Sequence, residues 1–180
     1  MPEVAKAGGK LYTFHLEATR PSLSPSLTLL NPPPENPSEM VDLIHSHSML
    51  AGLAISPETP SSSITDTLGN SVDLLLVMTV RPGRGGQKFM PECLEKVAEL
   101  RKRFPEKNIQ VDGGVGVGNA FQCAEAGRLV SWGCEAFLMP AIHVGSNVLV
   151  AGTAIFGSKD PAKTIAEMRS AVDETISKRR

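Results

Sequence analysis

The sequence lacks a long hydrophobic run and an excess of basic residues. A membrane-spanning helix needs about 20 consecutive apolar residues, and no apolar run here approaches that length. The first residues also lack the apolar core of a secretory signal peptide. With 18 Lys and Arg against 19 Asp and Glu, the chain has a net charge of −1, which would not attract nucleic acid or an anionic membrane. We therefore expect a cytoplasmic protein with no nucleic-acid partner and no membrane partner.

Cysteine is scarce as well. Cys93, Cys123 and Cys134 are odd in number and lack the spacing of a metal site, so we interpret them as reduced thiols without chemistry. The length of 180 residues and a hydrophobic content of 41% suit one domain with a real core. The sequence therefore predicts a single domain over residues 1–180.

The most informative stretch runs from residue 74 to residue 89. Residues 74–80 are apolar except Thr79, which predicts a parallel strand covered on both faces. The glycine-rich residues 83–86 follow and leave backbone N–H groups open to an approaching anion, which indicates a phosphate loop. The loop lacks the Gly-Lys-Ser/Thr ending of a nucleotide P-loop, and a bare strand-to-helix turn is the alternative interpretation.

Predicted strands and helices alternate along the rest of the chain. Further strands are predicted over 10–18, 50–55, 108–111 and 147–151, and helices over 37–48, 62–68, 93–104, 118–126 and from 161 onwards. The last helix is predicted to face inward through Ile165, Met168, Val172 and Ile176. This alternation predicts a parallel α/β sheet, either open or closed into a barrel. Two stretches without a clear period, about 20–36 and 128–144, are predicted to be irregular insertions.

Polar or glycine-rich residues follow three of the predicted strands, at 83–86, 112–114 and 152–153. The carboxyl ends of parallel strands share one edge of a sheet, and phosphate loops on the last strands are typical of (β/α)8 barrels. Asp112 could instead simply cap the turn before two glycines. His15 and Glu17 lie on one face of a strand and could bind a metal, although such a pair is more often structural.

Five segments resemble the ribulose-phosphate 3-epimerases: residues 12–19, 52–57, 75–90, 111–115 and 150–156. The most specific are Met-Thr-Val-Arg-Pro-Gly-Arg-Gly-Gly-Gln-Lys-Phe and Val-Asp-Gly-Gly-Val. In order and spacing they are similar to strands four to eight of that family's barrel, whose first three strands have no counterpart. The resemblance implies an α/β fold, an incomplete (β/α)8 TIM barrel of the ribulose-phosphate-binding type.

The resemblance also implies a reaction, the interconversion of D-ribulose 5-phosphate and D-xylulose 5-phosphate in the pentose phosphate pathway. A proton leaves one face of the carbon next to the ketone, and another returns to the opposite face. Family members use two carboxylates and a divalent metal, zinc or iron, that stabilises the enediolate. By resemblance Asp112 is the proton donor and one metal ligand, while its partner Asp and two His ligands belong to the first three strands.

The family's substrate-binding positions match three loops and one sulphur side chain. The resemblance assigns substrate and phosphate binding to Gly83, Arg84, Gly85, Gly86, Asp112, Gly113, Gly114, Gly152, Thr153 and Met78. Arg81 and Arg84 depart from the family's usual residues, but extra positive charge near a phosphate is compatible with binding.

Two functions follow from this resemblance. The first is an epimerase polypeptide that is inactive alone because five strands cannot close the barrel. The second is a non-catalytic sugar-phosphate-binding half-barrel that pairs with a homologue or with itself. Exposed strand edges predict poor solubility or a homo-oligomer. The two unmatched stretches are either genuine insertions or translated intron sequence.

Overall fold

The computed structural model describes residues 1–19, 36–81, 83, 86–126 and 145–177. In these residues five parallel strands form one sheet in the order of the chain. The strands are β1 (Leu11–His15), β2 (Leu50–Ile55), β3 (Leu74–Met78), β4 (Asn108–Asp112) and β5 (Val148–Val150). Across the described residues, β1 and β5 each have one strand neighbour. The predicted parallel α/β sheet is confirmed.

Helices connect the strands. They are α1 (Pro2–Lys6), α2 (Pro37–Ser46), α3 (Asp66–Ser71), α4 (Leu94–Arg103), α5 (Val117–Glu125), α6 (Thr153–Phe156) and α7 (Pro161–Ser177), with 3-10 turns at Leu16–Thr19, Ser61–Ser63 and Pro91–Cys93. The start of α2 is as predicted, because the Asn36 side chain accepts a hydrogen bond from Ser38 N at 2.9 Å and Pro37 occupies the first helical position. None of the helices in the described residues is long and apolar enough to cross a membrane.

The helix predicted over 62–68 is placed differently. Residues Ser61–Ser63 form a 3-10 turn, and α3 begins only at Asp66, after Thr65 accepts a hydrogen bond from Leu68 N at 3.2 Å. The helix then continues through Gly69, which packs against the Phe104 ring so closely that a side chain would not fit. Glycine at this position therefore serves packing and does not end the helix.

The main core lies between the sheet and the helices. Alternate strand residues point into it, and they are fully buried together with apolar residues of α2, α4 and α5: Leu53, Leu75, Val77, Ile109, Val111, Ile44, Val97, Leu100 and Ala120. The other face of the sheet carries a smaller cluster of Ala54, Leu74 and Leu76, against which Met78 packs. Residues 74–77 are therefore buried from both sides, as their unbroken apolar run predicts.

The predicted inward face of α7 is only partly buried. Met168 is buried, whereas Ile165 keeps 42% of its surface exposed. Ile165 lines a cavity of about 360 Å³ beside β5, the short strand at the sheet edge. Because β5 is only three residues long, it offers α7 less surface than a central strand would. The Ile176 side chain and, apart from residue 36, the two predicted insertions lie outside the described residues.

Candidate functional site

Three loops meet at the carboxyl edge of the sheet. The first loop (residues 79–90) follows β3, the second loop (113–116) follows β4, and the third loop (151–152) follows β5. A Cβ added to Gly114 in the second loop would lie 2.6 Å from Phe89 N in the first, and one added to Gly116 would lie 3.3 Å from the Cβ of Ala154, which follows the third. The structure thus brings together the three loops that the sequence predicts to bind phosphate.

Glycine is required where the loops touch. Gly113 and Gly114 have φ angles of 122° and 65°, which side chains rarely adopt. A Cβ at Gly113 would also lie 2.8 Å from Val80 N. In the first loop, Gly83 and Gly86 have φ angles of 124° and 74°. The close approach therefore depends on residues without side chains.

The structure describes some of the other predicted loop residues. Gly152 precedes α6 and Thr153 begins it, and both are exposed next to the second loop. Arg84 and Gly85 lie outside the described residues. The first loop is held from within by the Gln87 amide, whose Nε2 donates to Arg81 O at 2.6 Å. Arg81 of this loop also pairs with Glu58, which follows β2, through Nε and Oε1 at 2.6 Å.

Asp112 and Met78 lie side by side on the sheet face opposite the helices. They are register partners in the β3–β4 pair, and Asp112 is in turn the partner of Val150 in β5. Neighbouring strands are about 4.8 Å apart, so the carboxyl group and the thioether share one small region. Burial raises the pKa of the Asp112 carboxyl. A carboxyl group with a raised pKa is better suited to exchange protons near neutral pH.

The residues present do not fit a complete metal site. No group of three or more His, Cys, Asp or Glu side chains that could hold a metal ion occurs in the described part of the chain. His15 is on the same sheet face as Asp112, but β2 and β3 separate their strands by about 14 Å. Asp112 therefore belongs to no complete set of metal ligands within the described residues.

Of the two interpretations of His15 and Glu17, metal binding or a structural pair, the contacts favour the structural pair. His15 Nδ1 lies 3.3 Å from one Glu17 carboxylate oxygen, and the other accepts hydrogen bonds from Ser56 N at 3.0 Å and from the Thr59 hydroxyl. Burial acts to raise the pKa of Glu17, but these hydrogen bonds outweigh it and the pKa lies below its usual value. Glu17 thus fixes the turn after β2.

The cysteines also have no chemical role in the described residues. Cys93 and Cys123 are buried free thiols, and burial raises the pKa of Cys123 to about 12. A thiol with so high a pKa holds almost no nucleophilic thiolate at neutral pH. Cys134 lies outside the described residues.

Thr79 is the residue of the site that sequence reasoning missed. It is fully buried, and its hydroxyl lies 3.0 Å from Asp112 O and 2.7 Å from Gly113 O. The available signal was its position as the one polar residue in the apolar run 74–80.

Comparison with known proteins identifies the family of this chain. A family model described as the ribulose-phosphate 3 epimerase family matches residues 1–137. The chain belongs to this family. Ribulose-phosphate 3-epimerase of Schizosaccharomyces pombe is 37% identical over 170 residues, covering 94% of this chain and 60% of the relative. The cytoplasmic isoform of Oryza sativa subsp. japonica is 36% identical over 177 residues, covering 97% and 64%, and the Escherichia coli K12 enzyme is 34% identical over 174, covering 94% and 62%.

This epimerase-family chain thus spans about three-fifths of the length of these relatives. Two solved structures share its fold at low sequence identity. One 3-hexulose-6-phosphate synthase has a TM-score of 0.57 at 17% identity, covering 95% of this chain and 68% of the other. The synthase from Salmonella typhimurium has a TM-score of 0.59 at 15% identity, covering 97% and 66%. The predicted α/β fold of the TIM-barrel type is confirmed.

Proposed function

We propose that this epimerase-family chain binds a pentulose 5-phosphate. In this proposal it supplies the phosphate loops and one proton-transferring carboxylate for the interconversion of D-ribulose 5-phosphate and D-xylulose 5-phosphate in the pentose phosphate pathway. The observation that carries the proposal is the position of Asp112. Its carboxyl has a raised pKa, lies beside Met78, and stands where three glycine-containing loops meet.

Each part of the site has a physical task in this proposal. Backbone N–H groups of the three loops bind the phosphate, which glycine permits because no side chain blocks the approach. Met78 packs against the apolar side of the sugar chain. Asp112 holds a proton at its carboxyl group and delivers it to the carbon next to the ketone, or removes one from that carbon in the reverse direction.

Inversion of one carbon needs a second proton-transferring group on the opposite face of the substrate. By the family resemblance this group is a second Asp on a strand that is not among the five described here. We therefore expect the 180-residue chain to bind the substrate without turning it over.

A divalent cation, zinc or iron, is a further part of the proposal. An enediolate develops negative charge on two oxygens, and a metal ion supplies the charge that stabilises them. No group of three or more His, Cys, Asp or Glu side chains that could hold a metal occurs in the described residues, so a complete site around Asp112 would need ligands from outside them.

The partners and location complete the proposal. A net charge of −1 gives no attraction for nucleic acid. The rice relative is named a cytoplasmic isoform, which supports a cytoplasmic location. The alternative function is a binding-only half-barrel that pairs with itself or with a homologue, which the single strand neighbours of β1 and β5 favour.

Titration of the purified chain with D-ribulose 5-phosphate tests the proposal. Isothermal calorimetry is expected to show binding, and NMR in deuterium oxide is expected to show neither xylulose 5-phosphate nor deuterium at C3. Absence of binding would eliminate both functions. Metal-dependent exchange of the C3 proton would instead show that the chain is an active enzyme by itself.

A further inference from the structure

We propose that Thr79 is a positioning residue, which aims the carboxyl group of Asp112 and the second loop through contacts with their backbone. The inference rests on the proposed function, since it concerns the same site. It assigns a role to a residue that makes no contact with substrate itself.

Thr79 forms hydrogen bonds to residues at the junction between the first and second loops. Its hydroxyl is 2.7 Å from Gly113 O and 3.0 Å from Asp112 O, and its own N–H donates to Asp112 O at 2.8 Å. Its carbonyl accepts a hydrogen bond from Met90 N at 2.9 Å, which closes the first loop. The backbone of this fully buried residue therefore joins the two ends of the first loop, and its side chain joins that loop to Asp112 and Gly113.

The hydroxyl also fixes the direction of two peptide groups. In a trans peptide the C=O and the following N–H point in opposite directions. Because the carbonyls of Asp112 and Gly113 both turn toward Thr79, the N–H groups of Gly113 and Gly114 turn away from it. Two successive N–H groups on the same side, at residues with positive φ, form the kind of concavity that binds anions.

This arrangement needs an external restraint. Gly113 and Gly114 have φ angles of 122° and 65°, and glycine occupies many other backbone conformations about as readily. The Thr79 hydroxyl, which donates its single hydrogen between two carbonyl oxygens, restricts that freedom. Without it Asp112 O keeps the hydrogen bond from Thr79 N–H, but Gly113 O loses its hydrogen bond to Thr79, so the Gly113 peptide next to Asp112 becomes freer to rotate.

Three variants test the role. Thr79→Val keeps the shape of the side chain and removes the hydroxyl, and Thr79→Ser keeps the hydroxyl. Thr175→Val is the matched control, because Thr175 is a buried threonine in α7 whose hydroxyl donates to Ala171 O at 3.0 Å. Binding of D-ribulose 5-phosphate is measured by calorimetry, and the amide chemical shifts and exchange rates of Gly113 and Gly114 are measured by NMR.

Thr79→Val is expected to bind roughly 10-fold more weakly, the effect of one lost hydrogen bond. It should also shift the two glycine amides and speed their exchange, while Thr79→Ser and Thr175→Val resemble the wild type. Wild-type binding and amides in Thr79→Val would overturn the inference and leave the proposed function standing. If the wild type does not bind, the proposed function fails, and the amides alone decide whether Thr79 positions the loop.

Thr79→Cys replaces Thr79→Val in the test if Thr79→Val does not fold. Its thiol is a weak hydrogen-bond donor of similar size. We expect binding between that of Thr79→Ser and that of Thr79→Val, and amide shifts at Gly113 and Gly114. Binding and amides equal to those of the wild type would overturn the inference.

Discussion

The raised pKa of Asp112 has a cost for the stability of the folded chain. Between its ordinary pKa near 3.8 and the raised value, the folded protein binds more protons than the unfolded chain. The free energy of unfolding therefore falls as the pH rises through this interval, and the loss is complete above it. The charged form of Asp112 thus makes the protein less stable at neutral pH than an uncharged residue would.

Asp112→Asn is accordingly expected to be more stable than the wild type at pH 7 and equally stable near pH 3. The gain should be small, since the carboxyl keeps contact with solvent. Urea unfolding at both pH values measures it. A variant that is no more stable at pH 7 would contradict the role of burial.

Asp73→Asn is the control with the opposite sign. Burial alone would raise the pKa of Asp73, but hydrogen bonds from Ala51 N and His45 outweigh it, so the pKa lies below its usual value. The charged form of Asp73 stabilises the fold above its unfolded pKa, and this contribution is lost as the pH falls through the lowered value. Asp73→Asn should therefore lower stability at pH 7.

Gly114 offers a second prediction for a single residue. Alanine there would adopt a φ of 65° and bring its Cβ within 2.6 Å of Phe89 N, which is backbone and cannot rotate away. We expect Gly114→Ala to cost about 2 kcal/mol or more and to weaken phosphate binding. Gly118→Ala in α5 meets no atom within 4 Å and should stabilise by roughly 0.5 kcal/mol. Thermal unfolding of both variants tests this difference, and equal effects would show that the loops do not meet as described.

The residues that sequence reasoning found and missed differ in the range of their interactions. Asp112, Met78 and the glycines belong to contiguous motifs, so a local pattern is enough to identify them. The role of Thr79 depends on oxygens 33 and 34 residues away in the chain, and no local pattern contains them. The Glu17 network likewise reaches residues 39 and 42 positions away.

At the scale of elements, the connection from α5 to β5 closes without residues 127–144. Gly145 N donates to Ala124 O at 2.9 Å, and Ser146 N donates to Cys123 O at 3.1 Å. If Gly145 directly followed Ala126, these would be the two hydrogen bonds of a Schellman motif, the common end of a helix. Arg101 holds the same point from α4, with Nε 3.1 Å from Gly145 O.

Deletion of residues 127–144 is therefore expected to preserve the fold. Each doubling of loop length costs about 0.6 kcal/mol in closure entropy, so the shortened chain should be as stable as the wild type or more stable by ~1–2 kcal/mol. Urea unfolding and the circular dichroism spectrum measure the outcome. Deletion of residues 130–147, equal in length, removes Gly145 and Ser146 and should unfold the chain. Unfolding after the first deletion would show that residues 127–144 support the domain.

The strand order was predictable from the sequence because each strand is an apolar run bounded by glycine, proline or polar residues. The residues at which the strands and helices end were less predictable. The strand predicted over 10–18 ends at His15, because residues 16–19 turn as a 3-10 helix that brings the Glu17 carboxylate to Ser56. Tertiary contacts of this kind decide an element's length, and they are not visible in a window of neighbouring residues.

At the scale of the whole molecule, the sheet ends at β5 in the described residues with an apolar surface beside it. The cavity of about 360 Å³ along β5 and α7 is lined mainly by Leu149, Ala151, Ile155, Ile165, Met168 and Val172. Next to it, Phe156 keeps 87% of its surface exposed. An unpaired strand edge together with exposed apolar side chains favours pairing with another chain.

We expect the purified chain to self-associate through this side, and Ile165→Lys with Phe156→Ser to reduce the association. Both positions are exposed, by 42% and 87%, so the changes should alter the free energy of unfolding by less than about 1 kcal/mol. Val4→Ser is the control, because Val4 is exposed by a similar 39% but lies on α1, before the opposite edge strand. Sedimentation velocity over a range of concentrations measures the change. An equal reduction of self-association by Val4→Ser would contradict the prediction. General surface hydrophobicity, and not the β5 side, would then drive the association.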